Sequence, residues 1–467
     1  MLFNSYSFLL LFLPLTICVF YVLLQKRSVD SAIVSLGIAS LIFYAWWDVS
    51  NLPLLVGSIL FNFLLARRIA RSVGRPRRAL YIIGIIANLA ILALFKYAGF
   101  ITGNLQLLSS SVPLVSFALP LAISFFTFQQ ISFLRGVYEH ADYVPRFVRY
   151  ATFISFFPHL IAGPILHHKE IQPQFGQLSR EVPWASIAAG IALFTIGMFK
   201  KVMIADPIGL HADALFAQAG SVHFFEAWSA ALLYGFQLYF DFSGYSDMAM
   251  GLAALFGIRF PQNFASPYRA TSIADFWRRW HITLSQFLRE FLYIPLGGNR
   301  RGVPRTLINL TVTMALGGLW HGASWNFLLW GLVHGVLLVI HALWQRSALR
   351  MPTALAWALT FLSVMAAWIL FRAPDIATAM QLYGAMLTPS FVVPEALGTY
   401  AAWGAGALLI CLLLPNATAW VREGAAPLHR HFLLYRHSLL IWSGITLAFL
   451  IAFAHLSRLS IFLYFNF

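Results

Sequence analysis

The chain has 467 residues, of which 60% are hydrophobic and only 10% are Asp, Glu, Lys or Arg. Soluble domains carry roughly 25% charged residues, so this composition excludes a soluble globular protein. At roughly 20 residues per crossing we expect about 10–12 transmembrane helices in an all-α, polytopic integral membrane protein. The net charge of +15 is typical of basic loops facing anionic lipid. We expect no nucleic-acid partner, because no basic soluble segment exists to bind one.

Long apolar runs predict the membrane spans. In chain order these runs lie near residues 7–24, 31–47, 51–66, 79–97, 113–134, 150–165, 184–199, 223–240, 306–320, 324–343, 354–371, 399–414 and 440–460. Some of the shorter runs are expected to be re-entrant or buried within the helix bundle. The polar connections are too short for a second soluble domain, so residues 1–467 are predicted to form one membrane domain.

The distribution of arginine predicts the orientation in the membrane. Six arginines fall within residues 67–78, and eight fall within 259–305 beside only two carboxylates. Residues 1–25 carry no charged side chain, and neither does the predicted loop 98–112. Because basic loops stay in the cytoplasm, we expect 67–78 and 295–305 to be cytoplasmic and the N-terminus to lie outside.

Residues 272–293 are predicted to form an amphipathic helix. Its apolar residues recur at helical spacing and form one stripe, whereas Arg278 and Arg289 lie on the opposite face. Ser272 followed by Asp275 resembles a capping box at its start. We expect this helix to lie along the membrane interface or the rim of a cavity.

His321 is the strongest candidate for chemistry. It lies at the turn of a hairpin formed by the runs 306–320 and 324–343, where an ionisable group is costly unless it is paired or functional. Glycines before and after it allow close approach of backbone or substrate, and Trp320, Trp325 and Trp330 could line a narrow channel. Imidazole is suited to proton transfer near neutral pH. The alternative is a structural histidine that supports the turn.

Other ionisable residues support two interpretations each. His281 is predicted at the edge of the 272–293 helix, facing a cavity boundary, or else simply at the interface. Asp241 and Asp247 bracket a predicted membrane break and could form a proton or ion site, although Asp247 could instead cap the next helix. His334 and His341 are expected to pack along, or line, the hairpin.

Several enzyme classes are excluded by missing motifs. The chain has no phosphate-binding G-x-x-x-x-G-K-[ST] loop, no G-x-S-x-G elbow and no H-E-x-x-H zinc motif. These absences argue against an ATP-driven pump, a serine hydrolase and a zinc protease. We expect no bound metal and no resident cofactor.

Several motifs together resemble the membrane-bound O-acyltransferase family, in its alginate O-acetyltransferase membrane-subunit branch. The two most specific are DFWRRWHITLSQFLREFLYIPLGGNR at 275–300 and LWHGASWNFLLWGLVHG at 319–335. PLAISFFTFQ at 120–129, FPHLIAGP at 157–164, YFDFSGYSDM at 239–248, NFASP at 263–267 and WILFRA at 368–373 extend the similarity, which covers about residues 40–375.

The resemblance implies helices around a central channel and acyl transfer from a cytoplasmic thioester, most simply acetyl-CoA. His321 and His281 match the family's two membrane histidines and are expected to be catalytic. His321 would either deprotonate the accepting hydroxyl or take the acyl group itself, and His281 would orient the donor or tune His321. Trp277, Arg278, Arg289, Trp320 and Asn326 are expected to line the channel or bind the donor. The resemblance also implies a periplasmic or membrane-anchored SGNH-type acetyltransferase as partner. We expect the chain in the bacterial inner membrane, with the N-terminus periplasmic because residues 1–25 carry no charged side chain.

The expected function is therefore O-acetylation of an exported polysaccharide, such as alginate or cellulose. The membrane subunit would move the acetyl group across the membrane, and the partner would place it on the polysaccharide. Peptidoglycan O-acetylation or D-alanyl transfer by the same machinery is the alternative. An ion-coupled transporter is a more remote one, because the repeated halves typical of transporters are not visible.

Overall fold

The computed structural model describes residues 1–141, 144–347, 349–390, 392–421, 436–456 and 462–463. Within these residues all regular secondary structure is helical. In the described part of the chain, six helices are long and apolar enough to cross a bilayer: Phe8–Lys26, Val49–Arg71, Gly74–Gln106, Trp184–Ala217, Trp325–Trp344 and Thr353–Arg372. Shorter apolar helices accompany them. The predicted class, an all-α polytopic membrane protein, is confirmed.

The α-helices are numbered in chain order. They are α1 Leu13–Lys26, α2 Val29–Ala45, α3 Leu52–Arg71, α4 Gly74–Gln106, α5 Ile123–Glu139, α6 Phe147–Ser155, α7 Phe157–Leu160, α8 His168–Gln177, α9 Trp184–Phe199, α10 Asp206–Ala217, α11 Phe224–Leu255, α12 Ile273–Arg279, α13 Ile282–Leu288, α14 Gly302–His321, α15 Trp325–Trp344, α16 Thr353–Arg372, α17 Ile376–Leu387, α18 Leu397–Leu413 and α19 Arg436–Ala454. Short π-helical turns precede α1 and follow α9 and α13.

The helices α3, α4 and α5 define two opposite faces of the bundle. The arginine-rich turn at 67–78 marks one, here called the basic face, and the uncharged segment 107–122 marks the other, here called the distal face. Arg77 Nη2 donates to Val137 O at the basic end of α5, and Lys96 Nζ contacts Ser124 Oγ at its distal end. α4 and α5 are therefore antiparallel, and α5 runs from the distal to the basic face.

The helix α11 forms the centre of the core, and nearly all of its residues from Ala230 onward are buried. It packs against α9 through glycines on both helices. A Cβ on Gly197 would lie 2.4 Å from Gly244 O, and one on Gly190 would lie 2.7 Å from Gly251 O. Since real Cβ atoms do not approach that closely, only glycine allows these two backbones to touch.

The predicted break between Asp241 and Asp247 is wrong, because both residues lie inside the continuous helix α11. Asp247 does not cap a helix. Its Oδ2 lies 2.7 Å from Lys200 Nζ, and Asp241 Oδ1 lies 2.6 Å from Lys201 Nζ. Lys201 also contacts Asp206 at 2.7 Å. These buried carboxylates are paired with ammonium groups, as buried charges must be.

Three predicted boundaries also differ from the structure. The span predicted at 113–134 begins only at Ile123, and α4 continues to Gln106 through part of the predicted loop 98–112. The span predicted at 150–165 consists of the short helices α6 and α7, with Pro158 in the first turn of α7. The chain bends at Phe156, whose ψ of 109° is not helical, and Pro158 is tolerated in the first turn of α7 because the N–H that it lacks would have no intrahelical partner there. Part of the run 440–460 lies outside the described residues.

Candidate active site

The hairpin of α14 and α15 presents His321 at its turn, as predicted. The two helices pack unusually closely, because a Cβ on Gly318 would lie 2.1 Å from Phe327 O and one on Gly331 would lie 2.3 Å from Met314 O. Ser324 caps the start of α15 by accepting from Phe327 N–H. This glycine contact fixes the end of α14, and with it the position of His321.

His321 is buried and surrounded by aromatic rings. The ring centroids of Trp320, Trp330 and Phe371 lie 5.0, 5.3 and 5.1 Å from that of its imidazole. Its exposed fraction is only 3%. A dry aromatic setting strengthens the electrostatic interactions of any charge that develops there.

His281 lies beside His321, with ring centroids 6.4 Å apart. Its Nδ1–H donates to Asn263 Oδ1 at 3.1 Å, and that oxygen also accepts from Thr283 Oγ1 at 3.0 Å. An amide oxygen only accepts hydrogen bonds, so His281 carries its proton on Nδ1 and has Nε2 as its basic nitrogen. The two histidines expected to be catalytic are thus brought together.

The predicted amphipathic helix 272–293 is wrong as a continuous element. It breaks after Arg279, and His281 adopts a left-handed conformation with φ 43°. At the break Ile282 N–H donates to Asn263 O, and Ala265 N–H donates to Arg279 O. These bonds to segment 263–265 replace helical ones. His281 is consequently fully buried rather than at the helix edge, while the predicted N-cap Ser272 does accept from Asp275 N–H.

The remaining predicted channel residues lie in different surroundings. Trp320 borders His321 and lines a cavity. Trp277 is buried and donates through Nε1 to His334 Nδ1 at 3.3 Å, and Asn326 donates through Nδ2 to Ala373 O at 2.8 Å. Arg278 and Arg289 are exposed. Trp277 and Asn326 therefore support the packing around His321.

A cavity of about 480 Å³ opens toward the distal face and has His321 and Trp320 in its wall. Asp48, Lys96 and the segment 118–125 also line it. Hydrogen bonds from the hydroxyl and the backbone N–H of Ser50 hold the pKa of the Asp48 carboxyl below its usual value. The mouth of this distal cavity thus carries a carboxylate at neutral pH.

A second cavity, of about 200 Å³, opens at the basic end of α5. Its walls include Arg135, Lys169, His167 and Phe291. Arg135 is held there by Glu139 Oε1 at 2.8 Å, and its guanidinium lies 4.9 Å from the Phe291 ring centroid. Neither Arg278 nor Arg289, which were predicted to bind the donor, lines this cavity.

Stacked aromatic rings connect the two cavities. Phe291 in the basic-face cavity stacks on Phe287 at 4.3 Å, Phe287 on Phe128 at 4.0 Å, and Phe128 on Trp320 at 5.2 Å. Trp320 belongs to the wall of the distal cavity. This aromatic column occupies the space between two openings on opposite faces, and its distal end lies beside His321.

Sequence reasoning missed Lys96, which lies next to His321. The signal was present, since Lys96 is an ionisable residue inside the apolar run 79–97. Its partners could not be seen, because they are more than 200 residues away in the chain: Nζ donates to Trp320 O at 2.5 Å and His321 O at 3.2 Å.

Comparisons with known proteins agree with this architecture. The sequence model of the membrane-bound O-acyltransferase family, MBOAT, matches residues 78–374. A peptidoglycan O-acetyltransferase of Helicobacter pylori is 43% identical over 421 residues, covering 83% of this chain and 80% of that protein.

Two further relatives belong to different substrate branches. A probable alginate O-acetylase AlgI of Pseudomonas aeruginosa is 42% identical over 397 residues, covering 83% of this chain and 75% of that protein. A teichoic acid D-alanyltransferase of Streptococcus thermophilus is 29% identical over 240 residues, covering 48% and 57%. The resemblance inferred from the motifs is confirmed. The chain therefore belongs to the membrane-bound O-acyltransferase family and is a multi-pass O-acyltransferase.

Proposed function

We propose that the chain takes an acetyl group from acetyl-CoA at the basic face and delivers it to a hydroxyl at the distal face. The observation that carries this proposal is the position of His321, between the distal cavity and the aromatic column that leads from the basic-face cavity. Such a delivery requires a base that faces the acceptor on one side and the path of the acyl group on the other.

Coenzyme A and the acetyl group differ in charge and size, and this difference decides which of them can cross the membrane. Coenzyme A is polyanionic and cannot enter hydrocarbon, whereas an acetyl group is small and neutral. The arginines of the basic face attract the phosphates of the donor, with Arg278 and Arg289 exposed among them. Only the thioester end then has to reach His321, so the coenzyme never crosses the membrane.

In the chemical step, the His321 imidazole removes the proton from the acceptor hydroxyl as its oxygen attacks the thioester carbonyl. A C–O bond forms and the C–S bond breaks. The thiolate leaves with the proton returned by the imidazolium, as the free thiol of coenzyme A. No oxidant, metal or resident cofactor is needed for this balance.

His281 assists by its fixed orientation. Its Nδ1–H is committed to Asn263, so Nε2 is the nitrogen through which it can orient the donor or His321. A base that is itself held by a second group is the arrangement that positioned acid–base catalysis requires.

The acceptor we infer is an exported glycan, reached through an SGNH-type acetyltransferase partner outside the cytoplasmic membrane. Alginate or cellulose remains the first candidate class. Peptidoglycan is supported to a comparable degree, because the relative named for it is 43% identical and the one named for alginate is 42% identical. The D-alanyl alternative has less support, since that relative covers only 48% of this chain.

The proposed donor site also determines how the helix bundle is oriented in the membrane. With acetyl-CoA in the cytoplasm, the basic face is cytoplasmic and the N-terminus is periplasmic in the inner membrane. The basic loops are then where the positive-inside rule puts them.

The test is acetylation of the extracytoplasmic glycan in cells that carry the chain and its neighbouring genes. We expect His321→Ala to abolish the glycan-bound acetyl ester while the protein still accumulates in the membrane. The matched control is His341→Ala, a histidine of the same hairpin that does not line the distal cavity; it should keep wild-type acetylation. Wild-type acetylation by His321→Ala would refute the assignment, and comparing glycan fractions identifies the acceptor.

A further inference from the structure

Lys96 lies within the apolar helix α4, toward its distal end. It lies 22 residues after the start of α4 at Gly74, which is about 33 Å along the axis at 1.5 Å per residue. An ammonium within an apolar membrane segment is costly unless polar groups surround it. Its ammonium contacts the end of α14 and the start of α5.

The ammonium contacts the last carbonyls of α14. Lys96 Nζ donates to Trp320 O at 2.5 Å and to His321 O at 3.2 Å, and it lies 3.3 Å from Ser124 Oγ. The neighbouring Tyr97 hydroxyl donates to Leu319 O at 2.9 Å. The last carbonyls of a helix have no intrahelical partner and carry its negative partial charge, so α4 satisfies three successive carbonyls there.

One of these carbonyls belongs to His321, the residue that performs the proposed chemistry. Lys96 and His321 line the same distal cavity, and the Lys96 Nζ lies 5.8 Å from the Trp320 ring centroid. After His321 the chain leaves the helix, with Gly322 in an extended conformation. Without a partner from α4, the last turn of α14 would be free to fray at His321.

We propose that Lys96 is a positioning residue for acyl transfer: its ammonium holds the last turn of α14 so that the His321 imidazole stays at the wall of the distal cavity. This inference rests on the proposed function. Displacing a catalytic group by about 1 Å can cost 100-fold in rate, so such a clamp matters for turnover even where substrate binding is unchanged.

The first test is kinetic, on the full-length chain in membrane vesicles supplied with labelled acetyl-CoA. We expect Lys96→Met to lower kcat roughly 10- to 150-fold, the equivalent of one charge-assisted hydrogen bond, with donor KM changed by no more than about twofold. Lys96→Arg, which keeps the charge and the donors, should recover part of kcat. Lys26→Met, the same change at an exposed lysine, is the matched control and should behave as wild type.

The second test needs no activity. Hydrogen exchange of purified protein, followed by mass spectrometry, should become at least about tenfold faster in residues 317–321 of Lys96→Met, because the clamped turn opens locally. Exchange in α16 should not change. If Lys96→Met does not accumulate, Lys96→Gln, which keeps one amide donor, replaces it in both tests.

Wild-type kcat in Lys96→Met, unchanged exchange at 317–321, or a Lys96→Arg variant no more active than Lys96→Met would each overturn the inference. A wild-type chain that transfers no acetyl group would instead refute the proposed function. The exchange measurement would still decide whether Lys96 clamps the helix.

Discussion

The close contact at Gly318 predicts that adding a single methyl group there displaces His321, the residue proposed as the base. An alanine Cβ at this position would lie 2.1 Å from Phe327 O and 3.1 Å from the Gly331 Cα. Both neighbours are backbone atoms, so no side-chain rotation can relieve the overlap. The helices α14 and α15 must separate by about 1 Å to restore ordinary van der Waals contact.

Two effects of different size follow. Overpacking a tight contact costs about 1–3 kcal/mol of stability, which a bundle of this size can survive. A shift of about 1 Å three residues before His321 reduces turnover by about 100-fold, because acyl transfer depends on the position of the base. We therefore expect Gly318→Ala to fold but to be nearly inactive.

The assay compares Gly318→Ala with Gly57→Ala, whose added Cβ would meet nothing within 4 Å. Thermal unfolding of the purified proteins reports stability, and transfer of labelled acetyl from acetyl-CoA in vesicles reports kcat. Gly57→Ala should match the wild type in both measurements. A Gly318→Ala variant with wild-type kcat would refute the link between hairpin packing and catalysis.

Three further predictions follow from the ion pair between Asp247 and Lys200, the aromatic column and the proposed orientation of the basic face. Asp247→Asn should destabilise the protein by about 3–5 kcal/mol in denaturation assays, because it leaves the Lys200 ammonium without its carboxylate; Lys200→Met in the same chain should restore most of the loss. Phe128→Ala should open the column, so that a cysteine replacing Ser132, in the wall of the basic-face cavity, becomes reactive toward a reagent added at the distal face. Unchanged labelling of that cysteine would count against the column as a barrier. A cysteine replacing Arg75 should resist an impermeant reagent in intact cells, and labelling from outside would reverse the proposed orientation.

The local pattern of the sequence predicted most of the helices and the position of His321 at the turn of a hairpin. The run 184–199 coincides with α9, and the hairpin predicted at 306–320 and 324–343 corresponds to α14 and α15. His321 was identified because an ionisable residue between glycines is unusual in an apolar hairpin. These features depend on residues close together in the chain, which is why periodicity reveals them.

The features that the sequence did not reveal depend on contacts between residues that are far apart in the chain. The apolar stripe of 272–293 continues past Trp280, but segment 263–265 supplies hydrogen bonds that make a break at His281 favourable. From the sequence alone, Asp247 resembles a helix cap. In the fold its partner is Lys200, from the preceding helical segment. Lys96 acquires a role only through α14. Helical periodicity contains no information on such tertiary partners.

In the proposed reaction the acetyl group crosses the membrane while coenzyme A stays in the cytoplasm. One measurement tests this directly. Sealed inverted vesicles that contain the chain and its extracytoplasmic acceptor are given acetyl-CoA labelled separately in the acetyl group and in the coenzyme. We predict that the acetyl label appears on the acceptor inside the vesicles, that all coenzyme label stays outside, and that His321→Ala abolishes the transfer. Coenzyme label inside the vesicles, or acetyl transfer by His321→Ala, would contradict the account.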